Sequence, residues 1–526
     1  MMYKYKYFLA LFTIIAILLL WFYFPICFDN NDDQAMFAIS SGWLSGVPSA
    51  NVMLSNVLYG KLLSTLFSLN NSINWYTLIL QLIFAICWVY LLCYFLSLKK
   101  NTLIISVFIG AILLLGFIAA AITRPQFTSV ALSCMVAALF TLYQSQHTTY
   151  RFAWFVFFII VAILIRAESF FIFLVFALPI YFWNKSNRKQ ILRWIAISIL
   201  LFFIFYFVHY VFAIRPHEQN YMALQTIDII AAKPITIKEK ILYQNNFSVQ
   251  DIHLIQSWLM ADDAYNTPKM HALATALQSN RNCAQVFFEW KKFMQEERYL
   301  LVFYLFSLIA ILFFAKKYRK LVLWNLALFL SVILYLSITS RIPHRVTYPL
   351  LCYLVLFNIF HIIKSDFVIK IKYAILSIFL ILSLYKFYCV LQLIPLHLAY
   401  QQQFEKTVSL IRQHDDLLFI GADAFPWQYM NTWQTPSPSR LGNNLILTGW
   451  YAATPDYQLL LSQHQLKNLT NALSKKSNVI FLSASSSLQA AYIQVMKERY
   501  GIICHFEPII NKGYPVDSKR LVFDAY

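Results

Sequence analysis

Charge is scarce in this sequence. Only 12% of its 526 residues are Asp, Glu, Lys or Arg, about half the share of a soluble globular domain. Glycine (10) and proline (16) are sparse too, so no Gly-rich linker or collagen-like segment is available. There is no internal repeat and no low-complexity tract. The motifs GxxxxGKS/T, GxGxxG, HExxH and GxSxG do not occur. Their absence disfavours a nucleotide-driven pump and leaves nothing pointing to a Ser–His–Asp hydrolase. The eight cysteines form no CxxC pair, and most lie within apolar runs, where a thiol packs as a small hydrophobe. Cys283 and Cys504 fall in long polar segments, and sequence alone does not decide whether they pair.

What fills the chain is apolar. Hydrophobic residues make up 60% and aromatic residues 18%, with a mean hydropathy of +0.60. That composition excludes a soluble enzyme, a disordered chain and a fibrous repeat, and implies a polytopic membrane protein. Trp, Tyr and Phe favour the membrane–water interface. The formal net charge of +19 would suggest nucleic acid on a soluble protein. Here the basic clusters are loop-sized and lie between apolar spans, with no helix-turn-helix, zinc or RNP pattern. They set orientation, and no nucleic-acid partner is expected.

A helix needs about 20 apolar residues to cross the hydrocarbon. Spans are expected near 7–27, 75–97, 101–122, 127–144, 152–165, 168–183, 191–214, 298–315, 321–339, 346–363 and 373–394. Arg166 and Glu168 interrupt the stretch 152–183, which reads either as two short spans or as one kinked span. The positive-inside rule chooses between them. With two spans and the N-terminus inside, the inner segments carry basic residues from Lys4 and Lys6 to Lys370 and Lys372, with Asp366 as their one acid. The short outer segments carry only Lys61, Arg124, Arg166, Arg341 and Arg345. Eleven spans therefore follow, N-terminus cytoplasmic, with the first span an anchor rather than a cleaved signal.

The expected fold is mainly α: a polytopic helical bundle over 1–394, with outer loops 28–74 and 215–297, and a small extracytoplasmic α/β domain over 395–526. Ser248 and Asp251 have capping-box spacing ahead of a helix. In the tail, strand-like runs 417–420, 479–482 and 521–523 alternate with helical runs 457–473 and 488–500.

The polar residues with chemical potential gather at the outer level. Asp29, Asp32 and Asp33 follow the first span, ahead of a short interfacial helix over 34–43. A carboxylate in a partly dry cleft suits a general base; an N-cap for that helix is the plainer account. Arg124 ends one span, Arg166 and Glu168 sit between two more, and Arg341, His344 and Arg345 crowd another turn. Boundary charges are costly, and guanidinium forks match phosphate. Snorkelling to the interface is the plainer account, weakest for the turn 341–345. Asp262–Asp263 and Asp415–Asp416 read as solvated turns.

Three stretches carry a family resemblance. NDDQAMFAISSGWLSGVPSANVMLSNVLYGKLLSTLFSLNNSINWY (31–76), SVQDIHLIQSWLMADDAY (248–265) and NNLILTGWYAATPDYQLLLSQHQLKNLTNAL (443–473) resemble the GT-C superfamily of polytopic glycosyltransferases. They are similar to bacterial GT-C-like membrane proteins of surface-polysaccharide loci. The resemblance implies transfer of a sugar from a polyprenyl-phosphate carrier to a glycan, lipid or protein acceptor, at the outer face of the bacterial inner membrane. It matches Asp32 or Asp33 to the family's acidic position. Arg124, Arg166, Arg341, His344 and Arg345 fit the donor-phosphate role by position, with Asp29 and Glu168 as further cleft residues. No DxD of the nucleotide-sugar type is present, so no cofactor is expected, with a divalent metal as the alternative. Competing readings are a flippase or transporter, a polymerase or ligase of lipid-linked saccharides, and a non-catalytic envelope assembly factor. A transporter would be expected to show inverted repeats and broken helices at mid-membrane, and the sequence shows neither.

Overall fold

The computed structural model describes residues 2–28, 31–43, 45–98, 103–143, 148–213, 219, 221–227, 239–257, 259, 265, 267–278, 283–339, 341–365, 369–414, 416–423, 425–433, 444–470, 478–509, 514–515 and 517–523. Asp29, Asp262, Asp263 and Asp415 lie outside the described residues. The chain divides into two compact units. The first is Met1–Asp29, Thr77–His209 and Val286–His397; the second is Asn30–Tyr76, Tyr210–Gln285 and Leu398–Tyr526.

In the first unit, long apolar runs become helices: α1 (Met2–Tyr23), α4 (Trp75–Leu96), α5 (Leu103–Ala111) with α6 (Ala119–Ile122), α7 (Phe127–Leu142), α8 (Thr149–Ile165), α9 (Ser169–Trp183) and α10 (Arg188–Phe212). After a polar stretch come α15 (Arg298–Phe314), α16 (Arg319–Thr339), α17 (His344–Lys364) and α18 (Ile369–Gln392). Each of the eleven expected spans has its helix. Length and composition suit several of them to crossing a bilayer, and the chain is a multi-pass membrane protein. Helix α17 is buried almost throughout, whereas α10 and α16 leave most of their apolar surface exposed. A helix apolar all round is stable either in a core or against lipid, and this unit uses both solutions.

The stretch 152–183 is a hairpin. Arg166 leaves the helix with φ −153 and ψ 97. The Phe155 and Phe173 rings then meet at 5.9 Å, although one straight helix would hold them about 27 Å apart. Between α5 and α6 the backbone widens into a π-helix, Ile112–Ile118, in which the Ala119 amide bonds the Leu114 carbonyl. Tyr348 donates to the Phe117 carbonyl of that stretch (2.8 Å). Gly116 fits there because a Cβ would lie 2.6 Å from Ser383 Oγ.

The second unit holds α2 (Asn31–Ser41) and α3 (Val57–Leu69), with α11 (Glu239–Gln244), α12 (Val249–Gln256) and α13 (Thr267–Gln278) from the long polar segment. Helix α14 (Cys283–Glu296) leads out of it, and α19 (Ile394–Arg412) leads into the tail. The interfacial helix expected over 34–43 starts three residues earlier and stops at Gly42. That residue needs φ +66, and a Cβ on it would sit 2.4 Å from the Val47 carbonyl carbon. The Ser248–Asp251 capping box forms as expected. Asp251 is then joined by Tyr265 Oη (2.8 Å) and Arg499 Nη2 (2.9 Å).

The tail carries a five-stranded sheet in the order β2-β1-β3-β5-β4: β1 (Leu418–Gly421), β2 (Leu445–Leu447), β3 (Val479–Leu482), β4 (Cys504–Pro508) and β5 (Ser518–Phe523). β1 pairs parallel with β2 and β3, while β5 runs antiparallel to β3 and β4. The three strands expected from sequence are present. The two it missed lie at the sheet's edges, one three residues long and one largely exposed. Helices α20 (Pro455–Gln463) and α21 (Ser486–Tyr500) complete the layer. The helical run expected over 457–473 ends early, at Gln463, with Gln465 in the left-handed region at φ +57. Cys504 is buried, and the Cys283 side chain lies outside the described residues.

Candidate functional site

In the first unit, one end of the bundle closes around a cavity of about 140 Å³. Its basic lining is Arg124, His344 and Lys386, and Phe84, Tyr348, Val390 and Leu393 supply apolar wall. Arg124 follows α6, His344 opens α17, and Lys386 projects from the last turns of α18. Arg124 Nη2 meets His397 Nε2 at 3.2 Å, and His397 Nδ1 meets the Pro25 carbonyl at 3.3 Å. A neutral ring with its proton on Nδ1 satisfies both contacts, so the buried His397 fixes the guanidinium without adding charge. On the wall itself, Gln81 Nε2 donates to the Ile122 carbonyl (2.8 Å) and its Oε1 accepts from Trp21 (3.2 Å). These bonds pin the segment that carries Arg124.

His344 is set by an acid. Its Nδ1 lies 2.7 Å from Glu297 Oε1, and Glu297, only 2% exposed, also accepts from Thr347 Oγ1. Glu297 occupies the N-cap position of α15, where the helix dipole favours a carboxylate. Glu289 accepts the Ile342 amide (2.8 Å) and so fixes the turn ahead of α17. Lys386 Nζ lies 5.4 Å from the centre of the Tyr299 ring, within cation–π range. The result is a small pocket with several positive groups, held by hydrogen bonds, over an apolar wall. It suits an anionic head on a greasy tail.

The acid pair sits in the second unit. Asp32 and Asp33 lie in the first turn of α2. Asp33 is fully buried, and its Oδ1 accepts from the Tyr76 hydroxyl at 2.7 Å. Asp32 is 8% exposed. Burying a carboxylate costs several kcal/mol unless donors replace its water, and Tyr76 together with the helix N-terminus offsets that cost. The Tyr59 hydroxyl is also buried. Burial and the neighbouring Asp33 charge raise its phenol pKa. The Tyr76–Asp33 bond reaches 43 residues along the chain, beyond the local contact an N-cap requires.

Another buried acid was not legible in the sequence. Asp456, in the first turn of α20, is 6% exposed, and burial pushes its pKa up to about 6 against a hydrogen bond from Ser49. Tyr451 and Tyr457 lie buried beside it. Gln463 Nε2 donates to the Ser45 carbonyl (2.7 Å), so the loop that follows α2 is clasped by the α20 segment.

Of the residues singled out by sequence, Arg124 and His344 share the cationic cavity. Arg166 does not line it. Its Nε pairs with Glu168 Oε2 at 3.0 Å, and its guanidinium stacks on Phe127 at 5.3 Å. Arg341 and Arg345 are half-buried beyond the lining, although the Arg345 carbonyl accepts from Ser129 Oγ at the cavity wall (3.2 Å). Lys386, His397 and Glu297 were missed. Lys386 did leave a signal, because a lone lysine inside an apolar span is functional by default. Among the described residues, no three His, Cys, Asp or Glu side chains are grouped to hold a metal ion.

No family model and no curated protein matches the chain. Two solved structures are similar to it: ArnT from Cupriavidus metallidurans in the apo state, at 10% identity and TM-score 0.39, and ArnT from Cupriavidus metallidurans bound to undecaprenyl phosphate, at 11% and 0.40. Each likeness covers 98% of this chain and 97% of the other. Superposition that loose leaves the residues of this chain to carry the functional reading by themselves.

Proposed function

We propose that this protein is a membrane glycosyltransferase that moves a sugar from a polyprenyl-phosphate donor to a glycan, lipid or protein acceptor of the bacterial cell envelope, at the outer face of the inner membrane. The observation that carries the reading is the cationic cavity with an apolar wall, formed by Arg124, His344 and Lys386 beside Phe84, Tyr348 and Val390. A lipid phosphate needs both surfaces. In the reaction, the acceptor hydroxyl oxygen bonds to the anomeric carbon as the bond from that carbon to the phosphate oxygen breaks. The phosphate leaves with the electron pair and gains charge, which prearranged cations in a low-dielectric pocket stabilise. The acceptor's proton is assigned to a carboxylate of α2, Asp33 or Asp32. A single displacement of this kind inverts the sugar's configuration.

The test is direct. Purified protein is given a polyprenyl-phosphate sugar and an acceptor glycan, with and without EDTA, and wild type is compared with Asp32→Asn, Asp33→Asn, Arg124→Ala and Lys386→Ala. Loss of transfer in at least one Asp variant and both cation variants, with folding intact, supports the reading. Transfer unchanged in all four rejects it. So does movement of the intact lipid-linked sugar across the bilayer without bond cleavage.

A further inference from the structure

We propose that a second pocket, at the other end of α7, binds the phosphate headgroup of an anionic membrane phospholipid. This pocket encloses about 1000 Å³ beside the start of α10, in the first unit, and Lys185, Arg188, Lys189 and Arg193 line it. Among the described lining residues there is no acid. Four cations without a counterion repel one another, and an anionic ligand relieves that cost.

The cations are arranged rather than scattered. Arg188 Nη2 is held by the Phe182 carbonyl (2.9 Å), and its guanidinium lies 5.7 Å from the centre of the Tyr181 ring. Its Nε is buried and meets no acceptor among the described residues. A planar donor set fixed in this way matches a phosphodiester. Lys185 and Lys189 are exposed and mobile enough to follow the ligand's charge.

Two features favour a lipid over a soluble phosphate. The floor is aromatic, with the Phe152 and Trp194 rings in contact at 5.4 Å. The pocket also opens onto the bare side of α10, where Leu200, Phe203 and Phe207 are 60%, 61% and 65% exposed. An acyl chain leaving the headgroup would lie along that ridge. Basic pockets between membrane helices take lipid headgroups by this combination of charge and apolar depth. The proposal does not depend on the transferase reading.

The full chain in nanodiscs tests it. One preparation contains phosphatidylcholine alone, another adds a tenth of cardiolipin, and a third is phosphatidylcholine with soluble pyrophosphate. Thermal stability and lipid retention in native mass spectra are read for wild type, Lys189→Gln/Arg193→Gln, Arg193→Lys and Lys386→Gln. The expected result is selective retention of cardiolipin and a raised Tm. The Gln pair should lower retention at least tenfold, and the other two variants should leave it alone. Equal retention by the Gln pair overturns the proposal. So does stabilisation by pyrophosphate to the same extent as cardiolipin, which would make the ligand a free phosphate compound. If the Gln pair unfolds, equal retention by the single variants Lys189→Gln and Arg193→Gln overturns it in the same way.

Discussion

The two ends of α7 carry pockets of the same sign and opposite construction. At the Phe127 end, Arg124, His344 and Lys386 surround about 140 Å³, and buried partners hold two of them: His397 behind Arg124 and Glu297 behind His344. At the other end, four cations surround about 1000 Å³ with no acid on the lining. Positive charge alone therefore says little about role. A cation locked before the ligand arrives favours charge that develops during a reaction. Exposed lysines such as Lys185 and Lys189, set beside the fixed Arg188, favour charge that is already present. Under the two proposals above, the first pocket serves chemistry and the second serves holding.

The comparison breaks if chemistry and holding respond alike to the same substitutions. The largest expected effect is Asp33→Asn. Transfer should fall roughly 100- to 10,000-fold, while cardiolipin retention at the far pocket stays unchanged in native mass spectra. Next comes Arg124→Ala, for which a loss of about 100- to 1,000-fold in kcat is expected. The pair Lys189→Gln/Arg193→Gln should move kcat less than about threefold, so equal losses from both would erase the distinction drawn here.

A further measurement concerns neither transfer nor lipid retention. The folded pKa of Asp456 stands near 6, above the ordinary 3.8. Its contribution to stability is therefore complete below about pH 4 and lost as pH rises through 6. Two pKa units correspond to roughly 3 kcal/mol as an upper bound. Asp456→Asn should remove that slope from thermal unfolding between pH 4 and 6.5 and raise Tm at neutral pH. A variant that keeps the wild-type slope would assign the pH dependence to other groups. The smallest effect is at His397. His397→Phe removes the acceptor that fixes Arg124 and should weaken transfer roughly tenfold, about 1.4 kcal/mol for one hydrogen bond to a charged group. The loss should appear in KM for the donor more than in overall stability.

Much of this architecture was legible because membrane helices advertise themselves. Each run of about 20 apolar residues became a helix, and the hairpin at Arg166 followed from charge placement on either side of it. The Ser248–Asp251 cap needed only three-residue spacing. What stayed hidden depended on distance in space. Lys386 reads as one lysine in an apolar span, and nothing local says that it shares a cavity with Arg124, whose segment lies some 260 residues earlier. Glu297 reads as one more charge in the polar run QEER, and only the fold sets it under His344. Asp456 resembles any acid in a helix's first turn, until burial lifts its pKa. Arg166 was legible as a boundary charge, but its neighbour Glu168 occupies it.

One bend in the ladder reaches further than its seven residues. The Ile112–Ile118 stretch winds wider than an α-helix and stores one surplus residue. At 3.6 residues per turn, one residue is worth about 100° of rotation. Thr123 and Arg124 follow it after the single turn of α6, so the compass heading of the guanidinium is written upstream, in leucine and isoleucine. Excising a single residue there would rewind the coil and swing Arg124 off the cavity, with every side chain of the cavity itself left intact.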